Sequence, residues 1–530
     1  MLRRLSLPTL LITAAALAAC SPDLAVAPTK TVRGPALAMN VAQQGRYMVL
    51  LNNGAAKTFS ERVTSLGGTV KSYHAGSGFA VVTGLSEESA NQLGLSGLAT
   101  VQPDIQVALD KPITSEAAAF DPTLVPAPSS PDAAPHPTNP TAAFRFSYQW
   151  NMNLIKAPAA WAAGKLGSAS VRVAILDSGL DYDAPDLNGL VDLGKSVSFM
   201  SDFVGRSDNP ATPDVDESDP IVPADDQIVP LFAPFLGPRH LVSDLNGHGT
   251  NVATQVSSKA AYVAGVTSKT TLFGVKVIGA NGVGNLSDIL NGVLYAADND
   301  ADIANMSLGG GFAKAASGRA VSIINRVFNY ARQKNMLIVV AAGNDGIDLQ
   351  HIGNGFATYC DAPHVICVSS VGPRVASELG TSDEDTPAFY SNFGRNSVDI
   401  AAPGGNGDAA NGFPLTRWPW SAPAPGALTP FDQASWVWAY CAKTTLVIQR
   451  AADNVHGRLL LTNCLSGNHI WPFFGTSQAS PHVAGLAALL VAENGKGKPE
   501  QIKHLIQGSA DPIAAALGRG RINVKNALGL

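Results

Sequence analysis

From about residue 148 onward, short apolar runs alternate with amphipathic stretches. "VRVAIL" (171–176), "TLFGVKVI" (271–278), "ADIANMSL" (301–308), "MLIVVAA" (336–342) and "HVICVSSV" (364–371) are largely apolar and rich in β-branched residues. Such runs mark strands buried on both faces. Between several of them lie stretches of helical period, "NLSDILNGVLYAADN" and "AVSIINRVFNYARQKN". Strand and helix in alternation predict an α/β body, a mostly parallel central sheet with helices on both faces.

A smaller pattern comes first. "RYMVLL" (46–51) and "GFAVVTGL" (78–85) read as strands, and "TFSERVTSLGG" (58–68) as a helix closed by glycines. In "SEESANQLG", Ser86 suits an N-cap, with Glu87 and Glu88 in the first turn where acids are favoured. "ATVQPDIQVAL" (99–109) is an extended run. This order predicts a small α+β domain over residues 40–110, of the ferredoxin-like split-βαβ kind. Residues 111–147 are Pro/Ala-rich without period, the composition of an exposed, protease-sensitive linker.

The first twenty residues stand outside either pattern. "MLRR" is basic, "LSLPTLLITAAALA" is apolar but short for a membrane span, and "LAAC" ends the stretch at Cys20. That is a signal peptide, and its end resembles a bacterial lipobox in which Cys20 receives lipid. The expectation is an exported bacterial chain, attached to the membrane through Cys20 as a precursor, released as a mature enzyme, or both. Residues 21–39 form a tether.

Composition adds limits. At 530 residues the chain exceeds one ordinary domain; with 15% charged residues and a net charge of −5, it has no polyanion-binding surface, so nucleic acid is excluded as a partner. Apart from Cys20, the cysteines are Cys360, Cys367, Cys441 and Cys464, an even number in an exported chain. Three pairings are open; local pairs, Cys360 with Cys367 and Cys441 with Cys464, are the economical choice. No zinc-ligand spacing competes with them, and no metal ligand is assigned.

Candidate chemistry lies where the strands end, since open α/β sheets bind ligands at their carboxyl edge. "VRVAIL" is followed by Asp177, "ADIANM" by "SLGGG", and "MLIVVAA" by Gly343 and Asn344. "NGHGTNVATQV" (246–256) sets His248 between two glycines, which let other chain approach closely. "FFGTSQASPHVAGLAALLVAE" (473–493) opens a helix near Ser477, with Pro481 tolerated in the first turn. A serine there is by itself an ordinary cap. Together the residues supply an acid, a base, a nucleophile and an amide donor.

"AILDSGLDYDAPDL", "NGHGTNVA", "NMSLGGG", "VVAAGND", "YSNFGRNSVDIAAPG" and "FFGTSQASPHVAGLAALL" occur in this order, and the region from about 148 to 530 resembles the subtilisin-like serine proteases, or subtilases. The order Asp, His, Ser is the one known from subtilisin. The resemblance implies an endopeptidase acting on polypeptides through Asp177, His248 and Ser477, with Asn344 in the oxyanion hole. It further implies substrate contacts at Gly284, Leu308, Gly309 and Gly343, no cofactor for the chemistry, and a monomer. Structural calcium is a family expectation without an assignable ligand set. Residues 40–110 resemble the inhibitory propeptide of these enzymes, which implies a self-processing zymogen cleaved between about 105 and 147.

The chain departs from the family pattern in four places. Asn251 stands where a second histidine is usual, and Gln478 where methionine follows the catalytic serine. An amide cannot form a sulfoxide, so the enzyme is expected to resist peroxide. Insertions fall near 188–245, with an acidic run, and near 406–470, with Trp418, Trp420, Trp436, Trp438 and Tyr440. Two other readings are a degenerate protease kept as a binding protein and an esterase. Competent residue types at all four catalytic positions speak against the first; the lack of G-x-S-x-G and of Ser-Asp-His order speaks against the second.

Overall fold

A computed structural model describes residues 45–52, 56–97, 99–109, 133–201, 224–232, 237–280, 282–309, 311–357, 359–373, 382–406, 437–440, 446–449, 458–461, 470–513 and 516–530. Cys20, Cys441, Cys464, Trp418, Trp420, Trp436 and the acidic run at 202–223 lie outside the described residues.

The N-terminal pattern folds as β1 (Arg46–Leu51), α1 (Ala56–Ser65), β2 (Thr69–His74), β3 (Phe79–Thr83), α2 (Glu87–Leu95) and β4 (Ala99–Pro103). Its sheet is antiparallel in the order β2-β3-β1-β4, the ferredoxin-like arrangement. Ser86 caps α2, accepting from the Ser89 N–H at 3.1 Å. β2 has no counterpart in the apolar pattern, because "TVKSYH" is an edge strand with no buried residue. The "ATVQPDIQVAL" run breaks at Asp104 and Ile105, and β5 (Gln106–Ala108) leaves this sheet for another partner.

In the body, β6 (Arg172–Asp177), β7 (Val197–Ser198), β8 (Thr271–Lys276), β10 (Ile303–Met306), β12 (Leu337–Ala341), β14 (Val365–Val371) and β15 (Ile400–Pro403) form one sheet. Its order is β15-β14-β12-β10-β6-β8-β7, and all its pairings are parallel. Among the short antiparallel pairings outside it are β9 (Val283–Asn285) with β5, and β11 (Gly311–Ala313) with β13 (Gly355–Ala357). The main helices are α3 (His248–Val256), α4 (Leu286–Asp298), α5 (Lys314–Gln333) and α6 (Thr476–Asn494). α3 and α6 pack with one side of the sheet, α4 and α5 with the other. This is the α/β body that the sequence predicts, a parallel sheet with helices on both faces.

Residues 133–147 depart from the linker reading. Pro140 and Ala143 are buried, His136 N–H donates to Lys259 O at 2.8 Å, and Arg145 N–H donates to Tyr262 O at 2.8 Å. Proline and alanine fill a shallow surface here instead of staying solvated, which composition alone does not distinguish.

Candidate active site

β6 ends on Asp177, whose side chain is fully buried. His248 opens α3, and its Nδ1 lies 2.8 Å from Asp177 Oδ1 and 3.0 Å from Oδ2. A neutral ring held this way keeps its proton on Nδ1 and its lone pair on Nε2. Of the glycines around His248, Gly247 takes a left-handed backbone, φ +98°, and Gly249 serves close approach. A Cβ on Gly249 would lie 2.3 Å from Gly179 O, so only glycine lets the turn after Asp177 close on α3.

One carboxylate organises both partners. Asp244 is buried, and its Oδ1 accepts from Ser178 Oγ at 2.9 Å and from the Asn246 and Gly247 N–H groups at 3.0 and 2.8 Å. Its Oδ2 accepts from the Thr250 N–H and hydroxyl at 2.8 and 2.6 Å. Asp244 thus ties the residue after Asp177 to the first turn of the His248 helix.

Ser477 is the second residue of α6, after Gly475 and Thr476, and is partly exposed. Its hydroxyl donates to Ser307 O at 3.1 Å, and Ser307 Oγ donates back to Ser477 O at 2.8 Å. Asn344 follows β12. Its Oδ1 accepts from the Thr476 N–H at 2.8 Å and hydroxyl at 2.9 Å, which leaves the Nδ2 edge beside Gly475. Gly343 donates its N–H to Thr476 Oγ1 at 3.1 Å and accepts from Asn392 N–H at 2.9 Å; Gly309 packs against Gly343, and Leu308 is buried in the core behind it.

The structure therefore gathers the singled-out residues in two groups, Asp177 with His248, and Ser477 with Asn344, Gly309 and Gly343. Packing of α3 on α6 joins them. Gly284 belongs to a third place, the β9 edge. There it pairs with Val107, and Leu109 N–H donates to Gly282 O at 2.7 Å. Cys360 and Cys367 stand at bonding distance, S–S 1.99 Å and Cα–Cα 5.1 Å.

Residues 168–529 match the Subtilase family. This chain is a subtilase.

Its similarities run across the whole body. It is 29% identical over 395 residues to the thermophilic serine proteinase of Bacillus sp. (strain AK1), spanning 73% of this chain and 69% of that one. It is 26% identical over 388 residues to thermitase of Thermoactinomyces vulgaris, spanning 72% of this chain and 96% of that one. Among solved structures, the epidermin leader peptide processing serine protease of Staphylococcus aureus shares the fold. Its TM-score is 0.62 at 21% identity, over 92% of this chain and 98% of that one. The subtilase is a serine endopeptidase.

Sequence reading missed Asp244, Ser307 and Thr476. Asp244 had a signal: an aspartate followed two and three residues later by loop N–H groups is an Asx-turn pattern. Ser307 and Thr476 had none, since their roles depend on strand exits far away in sequence. Among the described residues, no group of three or more His, Cys, Asp or Glu is placed to hold a metal ion. No described helix is long and apolar enough to cross a membrane.

Proposed function

We propose that this subtilase cleaves peptide bonds through Asp177, His248 and Ser477, and that it is exported as a zymogen which processes itself. The observation that carries the first part is the His248 Nδ1 contact with buried Asp177, which sets the ring tautomer whose basic nitrogen is Nε2. Turning about χ1 hands the Ser477 hydroxyl from Ser307 O to His248 Nε2. As Ser477 Oγ bonds to the substrate carbonyl carbon, its proton passes to Nε2, and Asp177 stabilises the imidazolium. The carbonyl oxygen, now O⁻, rests on Asn344 Nδ2 and the Ser477 N–H at the start of α6. When the C–N bond breaks, the imidazolium proton goes to the leaving amine and an acyl-enzyme remains. Water then gives a proton to His248 as its oxygen attacks the ester carbon. The acid product departs, and Ser477 recovers its proton.

Residues 45–109 support the zymogen reading. β5 occupies the β9 edge as an added strand, the way an extended peptide binds. Arg46 anchors it: Nε donates to Asp104 Oδ2 at 2.7 Å and Nη2 to Asp288 Oδ1 at 2.6 Å, all buried. Asp104 in turn accepts the Ser287 N–H at 3.0 Å at the N-terminus of α4. Residues up to 109 are held at the cleft edge, and those from 133 pack on the body, so processing falls between 110 and 132. Lipid on Cys20 would then tether only the N-terminal part.

The test is a fluorophosphonate probe with intact-mass and peptide mapping, on protein starting after Cys20, beside His248→Ala. The reading expects label on Ser477 in the unaltered protein alone and a new N-terminus between 110 and 132. No label after removal of residues 45–109 would hand the fold to a binding role.

A further inference from the structure

α3 carries His248 and α6 carries Ser477, and a side-chain bridge crosses between the two helices close to both. Gln478 directly follows Ser477, and Asn251 lies one helical turn beyond His248. Gln478 Nε2 donates to Asn251 Oδ1 at 3.3 Å, and Gln255 Nε2 donates to the same oxygen at 2.9 Å. All three side chains are at most 2% exposed. The Gln478 backbone is held as well. Its carbonyl accepts from His482 Nδ1 at 2.7 Å, while His482 Nε2 accepts from Asn151 Nδ2 at 2.8 Å. Burial pushes His482 down to about 4, so above that pH the ring is neutral and donates from one nitrogen only.

Stability does not explain why amides sit here. Around this bridge Val252, Ala253 and Val256 of α3 and Ala479, Val483 and Ala484 of α6 share one apolar core cluster. The net gain from a neutral hydrogen bond is smaller than that from burying an aliphatic side chain. An apolar residue of similar size would hold the helices together at least as well. Direction is what the amides add, because apolar packing lets two helices slide or turn slightly and a bridge of donors and acceptors resists it.

We propose that Gln478 and Asn251 act as one positioning device, fixing the first turn of α6 against α3 and so the approach of Ser477 Oγ to His248 Nε2. The inference rests on the triad reading. It also unites two departures noted in the sequence: the two positions near the site where the chain differs from the usual subtilase blocks touch each other. Neither residue contacts the reacting atoms in this scheme; each acts through the residue it holds.

A double-mutant cycle tests it on the processed enzyme, with Gln478→Met, Asn251→Leu and the pair. The readouts are kcat and KM on a peptide amide substrate, the fluorophosphonate labelling rate, and Tm. A 1 Å misplacement costs ~10²-fold in rate, and loss of one bridge between packed helices is expected to cost on the order of tenfold in kcat and in labelling. KM should stay within about twofold, as for an interaction that acts on the transition state. The double variant should be no slower than the slower single variant, since both break the same link. Losses that multiply, or a fall in Tm with kcat unchanged, would overturn the proposal. If Asn251→Leu fails to fold, Asn251→Ala completes the cycle. Failure of the unaltered enzyme to label at Ser477 would remove the triad reading itself, and that control is read first.

Discussion

The central strands of the two main sheets of this molecule are apolar on two faces, and they reach that state in different ways. The body sheet is covered by helices of its own domain, α3 and α6 on one side, α4 and α5 on the other. The N-terminal sheet has helices of its own on one face only. Tyr47, Val49, Ala80 and Val82 pack with Phe59, Val63 and Leu93 of α1 and α2. The alternate residues, Met48, Phe79 and Val81, share a core with Ile289 and Val293 of α4 and Phe328 of α5. An antiparallel sheet with one solvated face would alternate apolar and polar residues. "YMVLL" and "FAVV" do not alternate, because the second face is covered by the body. In so small a domain, unbroken apolar strands are a sign that it folds to be docked.

The largest test separates chemistry from docking. Ser477→Ala is expected to lower kcat on the order of 10⁶-fold, a scale known from subtilisin itself, while β5 stays on β9. Intact mass of the purified variant should show an uncut chain; a cut chain would end the self-processing reading. In that uncut background, Arg46→Met removes the cation that hydrogen-bonds buried Asp104 and Asp288. Breaking a buried pair costs ~3–5 kcal/mol, so hydrogen exchange in β5 should quicken by about 10²–10⁴-fold, with β6 unchanged. Equal loss in both strands would mean that the two sheets are one cooperative unit.

A smaller effect concerns pH. Desolvation alone would raise Asp298, but hydrogen bonds from Tyr330, His74 and Lys334 outweigh it and bring its carboxyl to about 2. His74 belongs to the N-terminal domain, and its Nε2 lies 2.8 Å from Asp298 Oδ2. A carboxyl whose folded pKa is depressed stabilises fully above its unfolded value, ~3.9, and loses this as pH falls through the folded one. Exchange in β2 and β3 should therefore rise between pH 4 and about 2, and Asp298→Asn should flatten the rise. The smallest expected effect is none at all. Dilute peroxide should leave activity intact because Gln478 follows Ser477, and modification beside Ser477 with loss of activity would contradict this.

The sequence made the body legible because the strands buried on both faces announce themselves and their exits carry polar residues. Asp177 and Asn344 could be located that way, whereas His248 was marked by its flanking glycines and Ser477 by the start of a helix. The supporting network could not. Asp244 holds two loops through five donors, and Ser307 braces α6 from 170 positions away. Both are small polar residues in loop-like stretches, where sequence shows the donor or acceptor but not what it meets. β2 escaped for the opposite reason, since it has too little apolar surface to show a period. Residues 133–147 escaped because proline and alanine serve packed surfaces as readily as solvated ones.

Gly284 carries a consequence for how this enzyme can change over generations. A Cβ at that position would lie 2.1 Å from the backbone oxygen of Val277, so no other amino acid fits without moving β9. Backbone does not yield as a flexible side-chain end does, and the position is closed to drift. On the reading that a peptide substrate adds to that edge, selection for new preferences must work through neighbours with room, such as partly exposed Val283. A library varied at 283 should yield active variants of altered preference, and one varied at 284 should return glycine.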